Sequence, residues 1–124
     1  MNPRMLIVCG ALVLALGVAA GAFGAHGLRR IASPESLETW RTAAHYQMLH
    51  GLGLLLIAAI WSHVSPTPAS WAAGLMLAGI VVFSGSLYAL VLTGTRVLGA
   101  ITPVGGLLMI AAWIVLAWAA WRGR

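Results

Sequence analysis

The 124-residue chain has no lysine, no aspartate and only two acids, Glu35 and Glu38. Charged residues make up 7% of it, where a soluble domain carries roughly 25%. Between Thr42 and Thr95 there is no charged side chain at all. Without an acid in its apolar runs, the chain cannot be an antiporter that exchanges protons through an intramembrane carboxylate. The single cysteine, Cys9, excludes an intramolecular disulfide and a paired-thiol redox motif. Lying inside an apolar run, it reads as a small apolar filler. No Walker loop, glycine-rich phosphate cradle or nucleophile–base pair occurs, which argues against an enzyme. The net charge of +5 comes from Arg4, Arg29, Arg30, Arg41, Arg96, Arg122 and Arg124. They are scattered at the ends of apolar stretches and form no basic patch on a polar face, so nucleic acid is not an expected partner.

What remains is apolar: 61% of the residues are hydrophobic and the mean hydropathy is +0.98. A chain this short hides only about two-thirds of its surface on folding, so the lipid bilayer is expected to be its solvent. About 20 apolar residues cross a bilayer as a helix, and lipid requires that such a crossing satisfy its own backbone. Four stretches qualify: Met5–Ala25, Thr42–His63, Trp71–Thr93 and Thr102–Trp121. The expected fold is all-α, a single four-helix transmembrane domain spanning residues 1–124.

The separators carry turn chemistry. His63–Ser70 reads HVSPTPAS, and Thr93–Pro103 holds Gly94, Gly99 and Pro103 around Arg96. Ser33-Pro34-Glu35 is a helix start, with a serine cap, proline at the first helical position and an acid at the positive helix end. It predicts a short interfacial helix running into the second span, with Leu37, Trp40 and Ala44 as an apolar stripe on the membrane surface. Gly27 suits the left-handed residue that closes a helix. Arg4, the apolar run behind it and Ala20-Gly21-Ala22 also fit a cleaved signal peptide, an alternative that would leave three spans.

Trp61, Trp71, Trp118 and Trp121 fall at span ends on the side of both termini, and Trp40 marks the other side, as interfacial belts do. Arginines do not orient the chain: the terminal side holds Arg4, Arg122 and Arg124, the other side Arg29, Arg30, Arg41 and Arg96.

Gly10, Gly17 and Gly24 recur every seven residues, and Gly17 with Gly21 makes a GxxxG pair. Such a smooth stripe lets helices approach closely, within the bundle or between two copies of the chain. Gly74 with Ala78, and Gly85 with Ala89, repeat the pattern on the third span.

Polar residues gather on the side away from the termini. Tyr46, Gln47 and His50 share a face of the second span, with His45 turned away, and Ser84 and Tyr88 share a face of the third. His50 lies eight residues in from Thr42, roughly 12 Å deep, and His26 stands at the rim. Two roles fit this patch. It is an interhelical hydrogen-bond network that specifies packing, or a polar pocket for a ligand, a proton path or a partner, in which His50 is the leading group. Metal and haem are disfavoured because His45 faces away from His50 and His26 stands well above it, so no cofactor is expected.

GAFGAHGL at Gly21–Leu28, WRTAAHYQMLH at Trp40–His50, FSGSLY at Phe83–Tyr88 and TPVGG at Thr102–Gly106 follow one another in order along the chain. In these motifs the chain resembles the YgdD-like family of small four-span inner-membrane proteins. The resemblance implies four helices with both termini cytoplasmic, and no activity, because that family has no known function. The chain departs from bacterial members in its second loop, which here has no basic residue. The function expected is that of a non-enzymatic accessory or scaffold protein of the cell inner membrane. The alternative is a module that binds or transports a small molecule or ion through the pocket around His50. A homo-oligomer or another membrane protein is the kind of partner expected beyond the lipid bilayer.

Overall fold

Three of the four long helices begin with the same two-residue syntax, a small polar residue followed by proline. Asn2-Pro3 opens α1 (Pro3–Ala25), Ser33-Pro34 opens α2 (Pro34–Ala59) and Ser65-Pro66 opens α3 (Pro66–Thr93). Proline loses nothing there, because the first helical N–H has no acceptor inside the helix. The Asn2 side chain accepts from the Met5 N–H at 2.9 Å and Ser33 from Ser36 at 3.1 Å. Ser65 caps nothing, and its hydroxyl donates instead to the Gly123 carbonyl at the far end of α4 (Leu98–Arg122). The computed structural model describes residues 1–123, so Arg124, counted above among the terminal-side arginines, lies outside it.

Every long element is helical, and three are long and apolar enough to cross a membrane: the stretch Pro3–Arg30, which includes α1, then α3 and α4. α2 has the length but not the hydropathy. Glu35, Glu38 and Arg41 occupy its first turns, followed by His45, Tyr46, Gln47 and His50. It nonetheless buries nine residues against four in α1, Gln47 and His50 among them, so its polar face is turned toward its neighbours.

The helix expected to start at Pro34 and run into the second span does so, but without the apolar stripe on the membrane surface. Pro34 to Ala59 is one continuous helix, because nothing between Pro34 and Thr42 breaks it. Trp40 and Ala44 are buried against the bundle instead of lying on the membrane surface. Trp40 is therefore not a belt residue, whereas Trp71, Trp118 and Trp121 are exposed at the terminal side. Gly27 does not close α1 in a left-handed conformation; its φ is −67° and the chain passes on through a 3₁₀ turn, Leu28–Arg30. The left-handed glycine is Gly94, with φ 69°, closing α3. α4 starts at Leu98, ahead of the expected Thr102, and carries Pro103 inside it.

α1 packs against α2 and α3 against α4, and the two pairs meet through α2 and α3. Each pair crosses glycine on glycine. A Cβ on Gly10 would stand 3.1 Å from the Gly51 carbonyl, and one on Gly79 would stand 3.1 Å from the Gly105 carbonyl. Apolar side chains gain little by leaving lipid for one another, so close backbone approach supplies the dispersion contact that holds such helices together. Gly17 and Gly24 are buried too, against Met48 and Trp40. Gly21 and Gly85 have nothing within 4 Å of where a Cβ would stand. They are not packing positions: Gly85 is exposed, and Gly21, though half-buried, has no neighbouring helix against it.

Candidate functional site

The buried stripe of α2 runs Trp40, Ala43, Ala44, Gln47, His50, Gly51 and Leu54, the three- and four-residue spacing of one helix face. Two of those side chains are strongly polar, and both are closed over, Gln47 at 7% and His50 at 4% exposure. In lipid each must find partners on the helices around it.

Gln47 finds them on two helices. Its amide nitrogen donates to the Val13 carbonyl of α1 at 2.9 Å, and its amide oxygen accepts from the Tyr88 hydroxyl of α3 at 2.7 Å. One side chain thus joins three helices. The Tyr88 ring lies 4.5 Å from the Trp40 ring, whose indole N–H donates to the Ala20 carbonyl at 2.7 Å. The missing side chain at Gly24 admits Trp40: a Cβ there would stand 2.5 Å from its Cδ1.

His50 is held at both ring nitrogens. Nδ1 lies 2.8 Å from the Tyr46 carbonyl of its own helix, and Nε2 lies 3.1 Å from the indole nitrogen of Trp113 on α4. An indole N–H can only donate and a carbonyl can only accept. The contacts therefore define one state: neutral imidazole, with its proton on Nδ1 and Nε2 accepting. The Tyr46 ring stacks on the imidazole at 6.1 Å and 13° between planes, while its own face is 40% exposed.

Ser84 donates to the Ala43 carbonyl of α2 at 2.7 Å, and Ser86 meets Thr102 of α4 at 2.6 Å. Two polar clasps thus tie α3 to the helices on either side of it. Among the described residues no buried side-chain nitrogen or oxygen is left without a hydrogen-bond partner.

Of the six pocket candidates, Gln47, Tyr88, His50 and Ser84 enter this bonded layer, and Tyr46 covers it from outside. His26 does not join. It caps the end of α1 and is exposed, because the 3₁₀ turn carries the chain away before its ring can point inward. Three further contributors are not among the six candidates: Trp113, Ser86 and Thr102. Trp113 left a signal, since a tryptophan in mid-span, away from the belts, needs an acceptor for its N–H. Gly51, Gly53, Gly79 and Gly105 were missed as well, and each sits where a Cβ would press on a neighbouring helix. Two concavities open elsewhere, one of about 320 Å³ at Glu38, Arg41, Thr42, His45 and Tyr46, and one of about 580 Å³ between the start of α3 and the end of α4. Among the described residues no three His, Cys, Asp or Glu side chains come within reach of one metal ion.

The family described as "Protein of unknown function (DUF423)" matches residues 20–106, a stretch that contains Trp40, Gln47, His50, Ser84 and Tyr88. The chain belongs to this family. Relatives match along nearly the full length. UPF0382 membrane protein SH2409 of Staphylococcus haemolyticus is 50% identical over 113 residues, covering 91% of this chain and 92% of that protein. UPF0382 membrane protein YwdK of Bacillus subtilis is 45% identical over 121 residues, covering 94% and 96%. No solved structure matches. The chain is thus a helical membrane protein of a family without an assigned biochemical role. Trp40, Gln47, His50, Ser84, Ser86, Tyr88 and Thr102 lie inside the matched region, whereas Trp113 and the Val13 carbonyl lie outside it.

Proposed function

We propose that the protein is a non-enzymatic accessory or scaffold component of the cell inner membrane, crossing it four times as one domain. One observation carries this: the polar side chains best able to do chemistry are consumed in holding helices together, with both nitrogens of His50 and both ends of the Gln47 amide engaged. A proton relay or ligand site at His50 would first have to release Trp113. α2, too polar to cross lipid comfortably alone, crosses here because α1, α3 and α4 satisfy its buried face. Likeness to the YgdD-like family supports the further reading that both termini are cytoplasmic. Partners under this proposal are the lipid bilayer and either a second copy of the chain or another membrane protein.

The test is complementation of a deletion strain with His50→Ala and Trp113→Phe, with protein abundance measured beside the phenotype. A scaffold predicts that any loss of phenotype tracks loss of protein. Full abundance with the phenotype abolished would overturn the scaffold in favour of a small-molecule or ion module at His50. A cytoplasmic fluorescent reporter and a periplasmic phosphatase, each fused at the C-terminus, test the orientation.

A further inference from the structure

The larger concavity lies at the terminal side, far from the polar layer. Its walls are the first turns of α3, with Pro66, Pro68 and Trp71, and the last turns of α4, with Val115, Trp118 and Arg122. Val115, Trp118 and Arg122 are three and four residues apart, so they line one face of α4. Seven residues separate Arg122 from Val115, so the groove descends roughly 10 Å along the helix axis. The walls are pinned at a fixed spacing: the Ser65 N–H donates to the Ala119 carbonyl at 3.2 Å, and the Ser65 hydroxyl donates to the Gly123 carbonyl.

Its polarity changes with depth. The deep end is Val115, a tryptophan stands on each wall, and among the described residues Arg122 at the rim is the groove's one charged side chain. The guanidinium stands over the Trp118 ring, 5.3 Å from its centroid, a cation–π contact that holds the charge at the rim. Both acidic side chains of the protein, Glu35 and Glu38, lie at the opposite end, where Glu38 pairs with Arg41 at 3.8 Å. The groove is therefore apolar where acyl chains lie and cationic where headgroups lie. About 580 Å³ is within the range of small-molecule sites.

We propose that this groove is a binding site for one anionic phospholipid, with an acyl chain between Trp71 and Trp118 and its phosphate on Arg122. Nothing in this site depends on His50, so it stands or falls apart from the scaffold reading. A lipid bound there would brace α3 against α4 at the terminal side.

The test is native mass spectrometry of the full-length protein, released from detergent micelles equilibrated with equal amounts of phosphatidylglycerol and phosphatidylcholine. The wild-type protein is expected to retain one phosphatidylglycerol in preference to phosphatidylcholine. Arg122→Gln is expected to lower that preference about fivefold, the effect of one basic side chain at an anionic surface. Val115→Trp, which fills the deep end, is expected to remove the retained lipid of either class. Excess inorganic phosphate should not displace the lipid, because the acyl chain supplies part of the affinity. A preference unchanged in Arg122→Gln, retention unchanged in Val115→Trp, or displacement by phosphate alone would each overturn the proposal. Helical content and unfolding temperature, measured on both variants, show that the groove and not the fold was altered.

Discussion

Toward Gly27 and Gly94 the bundle is laced by side-chain hydrogen bonds; toward Met1 and Gly123 it is filled by apolar side chains. The first half holds the Trp40, Gln47, Ser84, Ser86 and Tyr88 bonds, with the His50–Trp113 bond at its lower edge. The second holds Leu6, Leu54, Ile57, Val64, Ala72, Ala73, Met76 and Ala119, all nearly or fully buried. In water the apolar half would dominate the folding free energy. In lipid it loses most of that advantage, because an unpacked leucine is as well solvated by acyl chains as by protein. Packing quality and polar pairing then decide which helix sits where. Apolar contacts of this kind tolerate sliding; a glutamine with one end on α1 and the other on α3 does not.

The comparison breaks most severely where backbone meets backbone. A Cβ on Gly105 would run into the Phe83 backbone of α3, which has no way to yield. Gly105→Ala is expected to cost about 3 kcal/mol, read as a shift of the unfolding midpoint in a detergent titration followed by circular dichroism. Gly53→Ala is its control. Its Cβ would stand 2.6 Å from the Met76 sulfur, but a thioether side chain swings aside, so the cost is expected to stay below about 1 kcal/mol.

Next comes the three-helix joint. Gln47→Leu keeps the volume and removes both bonds, leaving the Tyr88 hydroxyl without its acceptor, at a cost of about 1–2 kcal/mol. A double-mutant cycle with Tyr88→Phe isolates the pair, whose coupling is expected near 0.6 kcal/mol, the average for interhelical bonds in membranes. A coupling near zero would mean that the polar layer does not specify the packing. Trp113→Phe is smaller still. It strips one donor from His50 Nε2 and is expected to cost about 0.5–1 kcal/mol by the same assay.

How much of this could be read beforehand follows from what is local. Helix starts at Ser33-Pro34, and the apolar runs of α1, α3 and α4, are encoded within a few residues, and the structure agrees with them. So are the side chains that share a face, such as Gln47 with His50 or Ser84 with Tyr88. Partner choice is not local. Trp40 near a span border is the same sequence signal whether its indole meets headgroups or the Ala20 carbonyl. His50 gives no hint of Trp113, 63 residues away. The glycines show the limit most clearly. The seven-residue spacing marked Gly10, Gly17 and Gly24, whereas Gly79 and Gly105 belong to no repeat within one helix, because their spacing is set by the crossing of two.

Gly21 and Gly17 give the finest form of the comparison, two glycines four residues apart on one helix. A Cβ on Gly17 would stand 2.6 Å from Met48 Cγ, the near end of that side chain, while Gly21 faces open space. Alanine at either position removes the conformational freedom that makes a mid-helix glycine unfavourable, a gain of about 0.5 kcal/mol. At Gly21 nothing opposes that gain, so Gly21→Ala should raise stability slightly, whereas Gly17→Ala should lower it because Met48 is displaced. If a second copy of the chain packs on the Gly21 face, the sign at Gly21 reverses and the change depends on protein concentration. Measuring both variants across a tenfold range of protein-to-detergent ratio therefore separates a glycine that faces lipid from one that faces a partner.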